Sequence, residues 1–259
     1  MQTFSINSGI SRHVPIETRI AAIAEAGFDA VCLDFERDLV ATEGSWESQL
    51  RLADKYGLPV ENIHLTGCGM NAIWSDEEAG DAVTDRLIGE LREMATLGIR
   101  IGVAHVTWGL TRPVGSMERG LTRYRRAVEA AEACGVVLAL ENSVFPEYVH
   151  YLLESIQSPA LGFCFDSGHE NAFTPGENYL DRYGDILVAM HLHTNDGTCD
   201  AHLPPFHPAG TIDWQKKVAQ LKKTALFHRT VTLECNIEGN DVLTGFSDAL
   251  AQAKRLATL

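Results

Sequence analysis

The chain has 259 residues, of which 45% are hydrophobic and 22% are charged, and its formal net charge at pH 7 is −14. This composition is typical of a soluble globular protein, and it excludes disordered and fibrous chains. The acidic excess repels phosphate backbones over long range, so we expect no general affinity for nucleic acid.

The N-terminal segment "MQTFSINSGISRH" lacks the basic-then-apolar pattern of a signal peptide. No apolar run approaches the roughly 18 residues of a membrane span. We therefore expect a cytoplasmic protein with no membrane partner. The six cysteines form no CxxC pair, so neither a zinc ribbon nor a redox motif is supported.

Short apolar runs alternate with longer amphipathic segments along the chain, a pattern typical of parallel strands joined by crossover helices. The runs predict eight strands, near residues 3–7, 30–34, 61–65, 101–106, 136–141, 160–166, 187–193 and 230–234. Between them, "AAIAEAGF", "EMATLGI" and "EAAEACGV" each contain a glycine suited to end a helix. Eight such units predict an α/β fold, a single (β/α)8 TIM barrel forming one domain over residues 1–259.

An open doubly wound sheet is the competing architecture. It normally carries a glycine-rich turn after its first strand, where a dinucleotide phosphate binds. The segment "SINSGISRH" after the first predicted strand contains no GxGxxG. The barrel is therefore the better prediction.

Polar residues stand at the carboxyl ends of the last four predicted strands. Alternate residues of a barrel strand face its interior. In "VLALEN", "GFCFDSGH", "MHLHTND" and "VTLEC" this alternation turns Glu141, Asp166, His193 and Glu234 inward. Either they are polar caps hydrogen-bonded to neighbouring loops, or they bind a divalent cation such as Mn²⁺, Co²⁺, Zn²⁺ or Mg²⁺, which such oxygen and nitrogen ligands suit.

Several short motifs follow one another in a fixed order: "LEN", the D-x-x-H of Asp166 and His169, "HTND", "DAH", "GTIDW" and "LEC". This ordered set resembles the xylose isomerase-like TIM barrel superfamily, which includes sugar phosphate isomerases and epimerases, inosose dehydratases and endonuclease-four-type nucleases. The resemblance implies that Glu141, Asp166, His193 and Glu234 bind the metal ion. It gives His191, two residues deeper in the strand, no such role.

The resemblance implies a divalent-metal-dependent isomerase or epimerase acting on a sugar, ketose or related carbonyl compound. We expect Glu141 and Glu234 to serve as catalytic acid and base on a metal-stabilised enediolate. Five further residues are expected to contact the substrate or a second metal ion: His64, His105, His169, Asp200 and His202. Four side chains are candidates for lining the pocket, although ordinary packing explains them as well: Trp74, Trp108, His191 and His207.

Three alternatives remain open. The same residues support β-elimination by a dehydratase or lyase acting on an oxidised sugar or inosose. A multi-zinc abasic-site endonuclease would use His64, His105, Asp200 and His202 as additional ligands, but the chain has 21 basic against 35 acidic residues. A non-enzymatic sugar-binding module would contain no metal. Relatives are often oligomers, so a homo-oligomer is compatible with every one of these alternatives.

Overall fold

The structure is a computed structural model that describes residues 1–35, 39–239 and 241–259. Its eight strands are parallel and form one sheet in the order β7-β6-β5-β4-β3-β2-β1-β8. They are β1 (Thr3–Asn7), β2 (Ala30–Asp34), β3 (Val60–His64), β4 (Ile101–His105), β5 (Val137–Glu141), β6 (Leu161–Asp166), β7 (Leu187–His191) and β8 (Thr230–Leu233).

The two edge strands of this sheet meet and nearly close it into a barrel. Leu192, just after β7, forms an isolated bridge with Leu233 of β8. Its backbone N–H donates to the Thr232 carbonyl at 3.0 Å, and its carbonyl accepts from the Glu234 N–H at 3.2 Å. With helices between the strands, this arrangement confirms the predicted (β/α)8 TIM barrel.

The helices lie between successive strands and after the last one. They are α1 (Ile16–Ala26), α2 (Val40–Glu43), α3 (Trp46–Lys55), α4 (Ala79–Thr96), α5 (Met117–Cys134), α6 (Pro146–Ser155), α7 (Ser167–Phe173), α8 (Tyr179–Tyr183), α9 (Trp214–Leu221) and α10 (Val242–Thr258). Gly27 after α1 and Gly135 after α5 adopt the left-handed conformation, with φ of 91° and 68°. These two glycines therefore end helices, as predicted. Among the described residues, no helix is long and apolar enough to cross a membrane.

Side chains alternate along the strands as the sequence predicted. The outward residues of β5 to β8 belong to the main hydrophobic core and are fully buried: Leu138, Leu140, Phe163, Phe165, Met190, Val231 and Leu233. Inside the barrel, a second and smaller cluster contains Val103, Ala139, Cys164 and Ala189. The apolar interior layer thus lies one inward position below the charged ends of β5, β6 and β7.

Candidate metal centre and cavity

Glu141 ends β5 and is the most connected carboxylate at the carboxyl end of the barrel. It is fully buried. Its Oε1 lies 2.5 Å from His191 Nδ1, and its Oε2 lies 3.2 Å from His64 Nε2 and 2.8 Å from His105 Nε2. Burial by itself raises the pKa of Glu141, but the charges and hydrogen bonds of His191 and His105 lower it well below its usual range. Glu141 is therefore held as a carboxylate.

Four buried side chains at the ends of β5 to β8 form the group best suited to a metal ion. One ligand atom from each of Glu141, Asp166, His191 and Glu234 lies within 4.8 Å of the others. His191 Nδ1 is also 3.2 Å from Glu234 Oε2, while its Nε2 is buried and has no hydrogen-bond partner among the described residues. Three carboxylates buried together need positive charge to balance them, which the neighbouring imidazoles supply when protonated and which a divalent cation, suited to this donor set, can supply instead.

The imidazole in this group is His191, whereas the sequence favoured His193. The reason lies in the register of β7, which ends at His191, directly opposite Asp166 of β6. Leu192 then turns to bridge β8, so His193 lies beyond the strand. His191 therefore lies in the group with Glu141, Asp166 and Glu234, where the sequence predicted His193.

His193 instead belongs to a neighbouring group with Asp200 and His202. Its Nε2 lies 3.0 Å from both carboxylate oxygens of Asp166, and its ring stacks on that of His202 with 4.1 Å between centroids. Asp200 Oδ2 lies 3.1 Å from His169 Nε2 and 3.0 Å from His202 Nε2. Burial alone lowers the pKa of His202, but Asp200 raises it to about 9. The predicted residues Asp200, His202 and His169 are thus brought together.

A cavity of about 390 Å³ opens above the metal-ligand candidates. The residues of its wall that were predicted as functional are His64, His105, Trp108, His169, Asp200, His202 and Glu234. Arg12 and Asp34 also line it, and the guanidinium Nη2 of Arg12 lies 2.8 Å from Asp34 Oδ2. Glu234 is the member of the metal-ligand group that reaches this space.

Three of the four predicted pocket-lining residues are not part of this cavity wall: His191 belongs to the metal-ligand group, and Trp74 and His207 lie elsewhere. Trp74 is 1% exposed, and its indole N–H donates to the Val106 carbonyl at 3.0 Å while its ring packs against Tyr124 and Tyr148. It is a core residue, because the chain after β3 folds inward as a 3₁₀ helix. His207 Nε2 lies 3.0 Å from Glu238 Oε1, and His207 is not among the residues that line the cavity.

Two polar residues at this end of the barrel were not found from the sequence. Asn7 ends β1, and its side-chain amide donates to Glu234 Oε1 at 2.5 Å. Asp34 ends β2 and pairs with Arg12 at the cavity wall. Both occupy the last position of a correctly predicted strand. Applying to the first two strands the end-of-strand rule used for the last four would have found them.

Two curated relatives illustrate the sequence similarity. The chain is 44% identical over 86 residues to the uncharacterised protein y4fM of Sinorhizobium fredii, a match that covers 30% of this chain and only 27% of that protein. It is 27% identical over 221 residues to a 2-epi-5-epi-valiolone 7-phosphate 2-epimerase of an Actinoplanes species. That second match covers 83% of this chain and 80% of the epimerase.

Solved structures share the fold over almost the whole chain. A D-tagatose 3-epimerase-like protein superposes with a TM-score of 0.78 at 19% identity, covering 99% of this chain and 98% of that one. D-psicose 3-epimerase from Clostridium cellulolyticum H10, solved with D-tagatose, gives 0.76 at 13% identity and covers 99% of both chains. The IOLI protein with a bound zinc atom gives 0.74 at 16% identity, covering 99% of this chain and 97% of that one.

A family model described as a xylose isomerase-like TIM barrel matches residues 20–256, which is nearly the whole chain. The match includes every strand from β2 to β8 and all four members of the buried metal-ligand group. The chain belongs to the xylose isomerase-like TIM barrel family.

Proposed function

We propose that this protein is a divalent-metal-dependent epimerase or isomerase of a ketose or a related keto sugar. The observation that carries the proposal is the buried group of Glu141, Asp166, His191 and Glu234 beside a cavity lined by imidazoles. The Actinoplanes relative, a 2-epimerase, and the D-psicose 3-epimerase with the same fold agree with this class of reaction.

Glu141, Asp166, His191 and Glu234 would hold the metal ion. Bound there, Mn²⁺, Co²⁺, Zn²⁺ or Mg²⁺ would supply a Lewis acid that polarises the substrate carbonyl and acidifies the neighbouring C–H. The three crowded carboxylates, two of them close to His191 Nδ1, fit such an ion. The zinc bound by the IOLI protein makes zinc one candidate.

Glu234 and Glu141 are the proposed acid and base. Glu234 faces the cavity, and its Oε1 is fixed by the Asn7 amide at 2.5 Å, so a substrate carbon can be presented to an oriented carboxylate. Burial raises the pKa of Glu234, but the charge and hydrogen bond of His191 lower it below the usual range, so Glu234 is ionised but is a weak base. It can therefore deprotonate a C–H bond that a bound metal ion would acidify. Glu141, the proposed partner of Glu234, is ionised and must take up a proton before it can return one. His64 and His105 contact its Oε2 and line the cavity, so they can carry that proton between Glu141 and the substrate.

The remaining cavity residues are proposed to orient the sugar. His64, His105 and His169 present their rings at the cavity wall, and each can exchange hydrogen bonds with a hydroxyl group. Asp200 anchors both His169 and His202 through one carboxylate oxygen. Such a wall favours a substrate with many hydroxyl groups.

The test is solvent exchange in D₂O. The purified protein is incubated with each of the four metals and a panel of ketoses and keto sugars, and the reaction is followed by proton NMR. We expect deuterium to appear on the carbon next to the carbonyl, together with an epimer or isomer of the same composition. A product that has lost water would establish the dehydratase instead. Absence of exchange with every metal and sugar, in a protein that purifies without metal, would establish a non-enzymatic binding module.

A multi-zinc abasic-site nuclease is the second candidate, because the structure brings its ligand types together. His64 and His105 both contact Glu141, while His169 and His202 both contact Asp200. Against it, Arg12 is the only lysine or arginine among the described residues that line the cavity, and it is paired with Asp34. We expect no cleavage of a duplex oligonucleotide that carries a tetrahydrofuran abasic analogue.

A further inference from the structure

A second cavity of about 320 Å³ adjoins the first one and has a different character. The two share four wall residues: His105, Trp108, His169 and Asp200. Beyond them the second cavity is lined by Leu110, Val144 and Phe173. We call the space bounded by Trp108, Leu110, Val144 and Phe173 the apolar lobe.

The polar side chains of this second cavity largely satisfy one another. Thr107 Oγ1 and Ser143 Oγ lie 3.0 Å apart and form a hydrogen bond with each other. His169 Nδ1 and Nε2 lie 2.9 Å from the Asn142 carbonyl and 3.1 Å from Asp200 Oδ2. A ligand group in the lobe therefore meets apolar and aromatic surface more than free hydrogen-bonding groups.

A row of rings runs from the sugar cavity into the lobe. The ring centroids are 5.3 Å apart between Trp108 and His105, 5.6 Å between His105 and His169, and 5.9 Å between His169 and Phe173. These separations are within the range of aromatic contact. A planar group beside the sugar can lie along this row.

Trp108 is exposed and yet fixed in place. Its side chain is 40% exposed, which is unusual for so large an apolar residue. Asn71 accepts from the Trp108 backbone N–H at 2.8 Å and donates to its carbonyl at 2.8 Å. The ring rests directly on Gly67, where a Cβ atom would lie 2.2 Å from Trp108 Cζ3. An immobilised aromatic surface loses little entropy when a ligand covers it, which is a property of binding sites.

We propose that the apolar lobe binds an uncharged aromatic group attached to the sugar, so that the substrate is a keto sugar that carries an aryl group, such as an aryl glycoside of a keto sugar. The sugar part of this inference rests on the proposed function. The lobe is large enough, because a cavity of about 150 Å³ already accommodates benzene. No lysine or arginine is among the described residues that line the lobe, and Asp200 disfavours an anionic ring.

The probes are phenyl β-D-glucoside and methyl β-D-glucoside, which carry a phenyl or a methyl group on the same anomeric oxygen. Neither has a carbonyl group, so the experiment measures binding alone. Isothermal titration calorimetry of the whole protein should give at least about tenfold tighter binding of the phenyl compound, since burying a ring is worth about 1.5–3 kcal/mol. Equal affinities, or no detectable binding of either glucoside, would overturn the proposal.

Three substitutions locate the binding. Phe173→Ala and Trp108→Ala remove lobe surface, and Gly67→Ala pushes the Trp108 ring aside, so each should reduce the ratio of phenyl to methyl affinity. Gly89→Ala on α4 is the control, because a Cβ there meets nothing within 4 Å, and its ratio should stay unchanged. A phenyl advantage that survives in both Phe173→Ala and Trp108→Ala would show that the ring binds elsewhere.

Binding and turnover separate this inference from the proposed function. Tighter binding of the phenyl glucoside that depends on Trp108 and Phe173, without deuterium exchange in any sugar, would support the proposal for the lobe and overturn the proposed epimerase activity. Deuterium exchange in free ketoses, together with equal affinities for the two glucosides, would support the epimerase and overturn the proposal for the lobe.

Discussion

Glu141 connects the metal-ligand group to the cavity wall, because its two oxygens contact three imidazoles from three different strands. Glu234 is held differently, by one amide and one imidazole, and it borders the open space. The two glutamates are therefore not equivalent. Glu234 borders the cavity directly, whereas Glu141 is connected to it through His64 and His105, which can carry a proton between Glu141 and the substrate.

Replacing either Glu141 or Glu234 with Gln should lower the rate of deuterium exchange by about 10²- to 10⁴-fold, the usual contribution of a general acid or base. The amide keeps the shape of the side chain but cannot take up the proton. Circular dichroism and thermal unfolding should show a folded protein. Glu17→Gln, an exposed position on α1, is the matched control and should retain full activity. Full activity in both site variants would refute the assignment.

The choice between His191 and His193 can be made by metal content. His191→Ala removes an atom from the four-residue group, so the purified variant should contain far less metal than the parent. His193 touches only Asp166 of that group, and its loss should weaken metal affinity by about 10-fold, as for residues that orient a ligand. Elemental analysis after dialysis measures both. Loss of metal from His193→Ala, with normal metal content in His191→Ala, would identify His193 as the ligand.

At the level of elements, local patterns predicted the strands well but not the place where two distant strands meet. β1 and β2 have the predicted bounds, and the inward parity of Glu141 and Asp166 follows from alternation alone. β7 ends two residues before the predicted end, and the next residue, Leu192, forms an isolated bridge with Leu233. That contact closes the barrel and joins segments far apart in the chain, so no local pattern shows it. For Trp74 the sequence left pocket lining and ordinary packing open, because its partners Tyr124 and Tyr148 come from the distant helices α5 and α6.

Two glycine substitutions should have opposite effects on helix stability. Gly135 ends α5 at φ 68°, so Gly135→Ala forces an L-residue into the left-handed region and should cost about 1 kcal/mol. Gly89 lies inside α4 with open space around it, so Gly89→Ala should stabilise by about 0.5–1 kcal/mol. Thermal unfolding should show shifts of about 2–4 °C in opposite directions. Shifts of the same sign would contradict this account of the two positions.

On the scale of the whole molecule, the charge distribution separates two roles of the acidic residues. Most contribute to a net charge of −14, which opposes association with polyanions. Glu141, Asp166 and Glu234 are instead buried together at the carboxyl ends of β5, β6 and β8. Their mutual repulsion is a cost to the folded state, and an ion bound among them would remove it. Metal binding and barrel stability should therefore be coupled.

This coupling predicts that a bound metal ion raises the unfolding temperature. At a free metal concentration about 100 times the dissociation constant, binding to the folded state alone adds about 2.7 kcal/mol. For a chain of this length that corresponds to a rise of about 5–10 °C. Differential scanning calorimetry with and without Mn²⁺, Co²⁺, Zn²⁺ or Mg²⁺ measures the shift, and a chelator should reverse it.

The control separates the buried group from the acidic surface. Experiments at physiological ionic strength screen weak binding of the ion to that surface. His191→Ala keeps that surface but loses a buried ligand atom, so its rise should be much smaller. An equal rise in this variant would show that the ion binds outside the four-residue group.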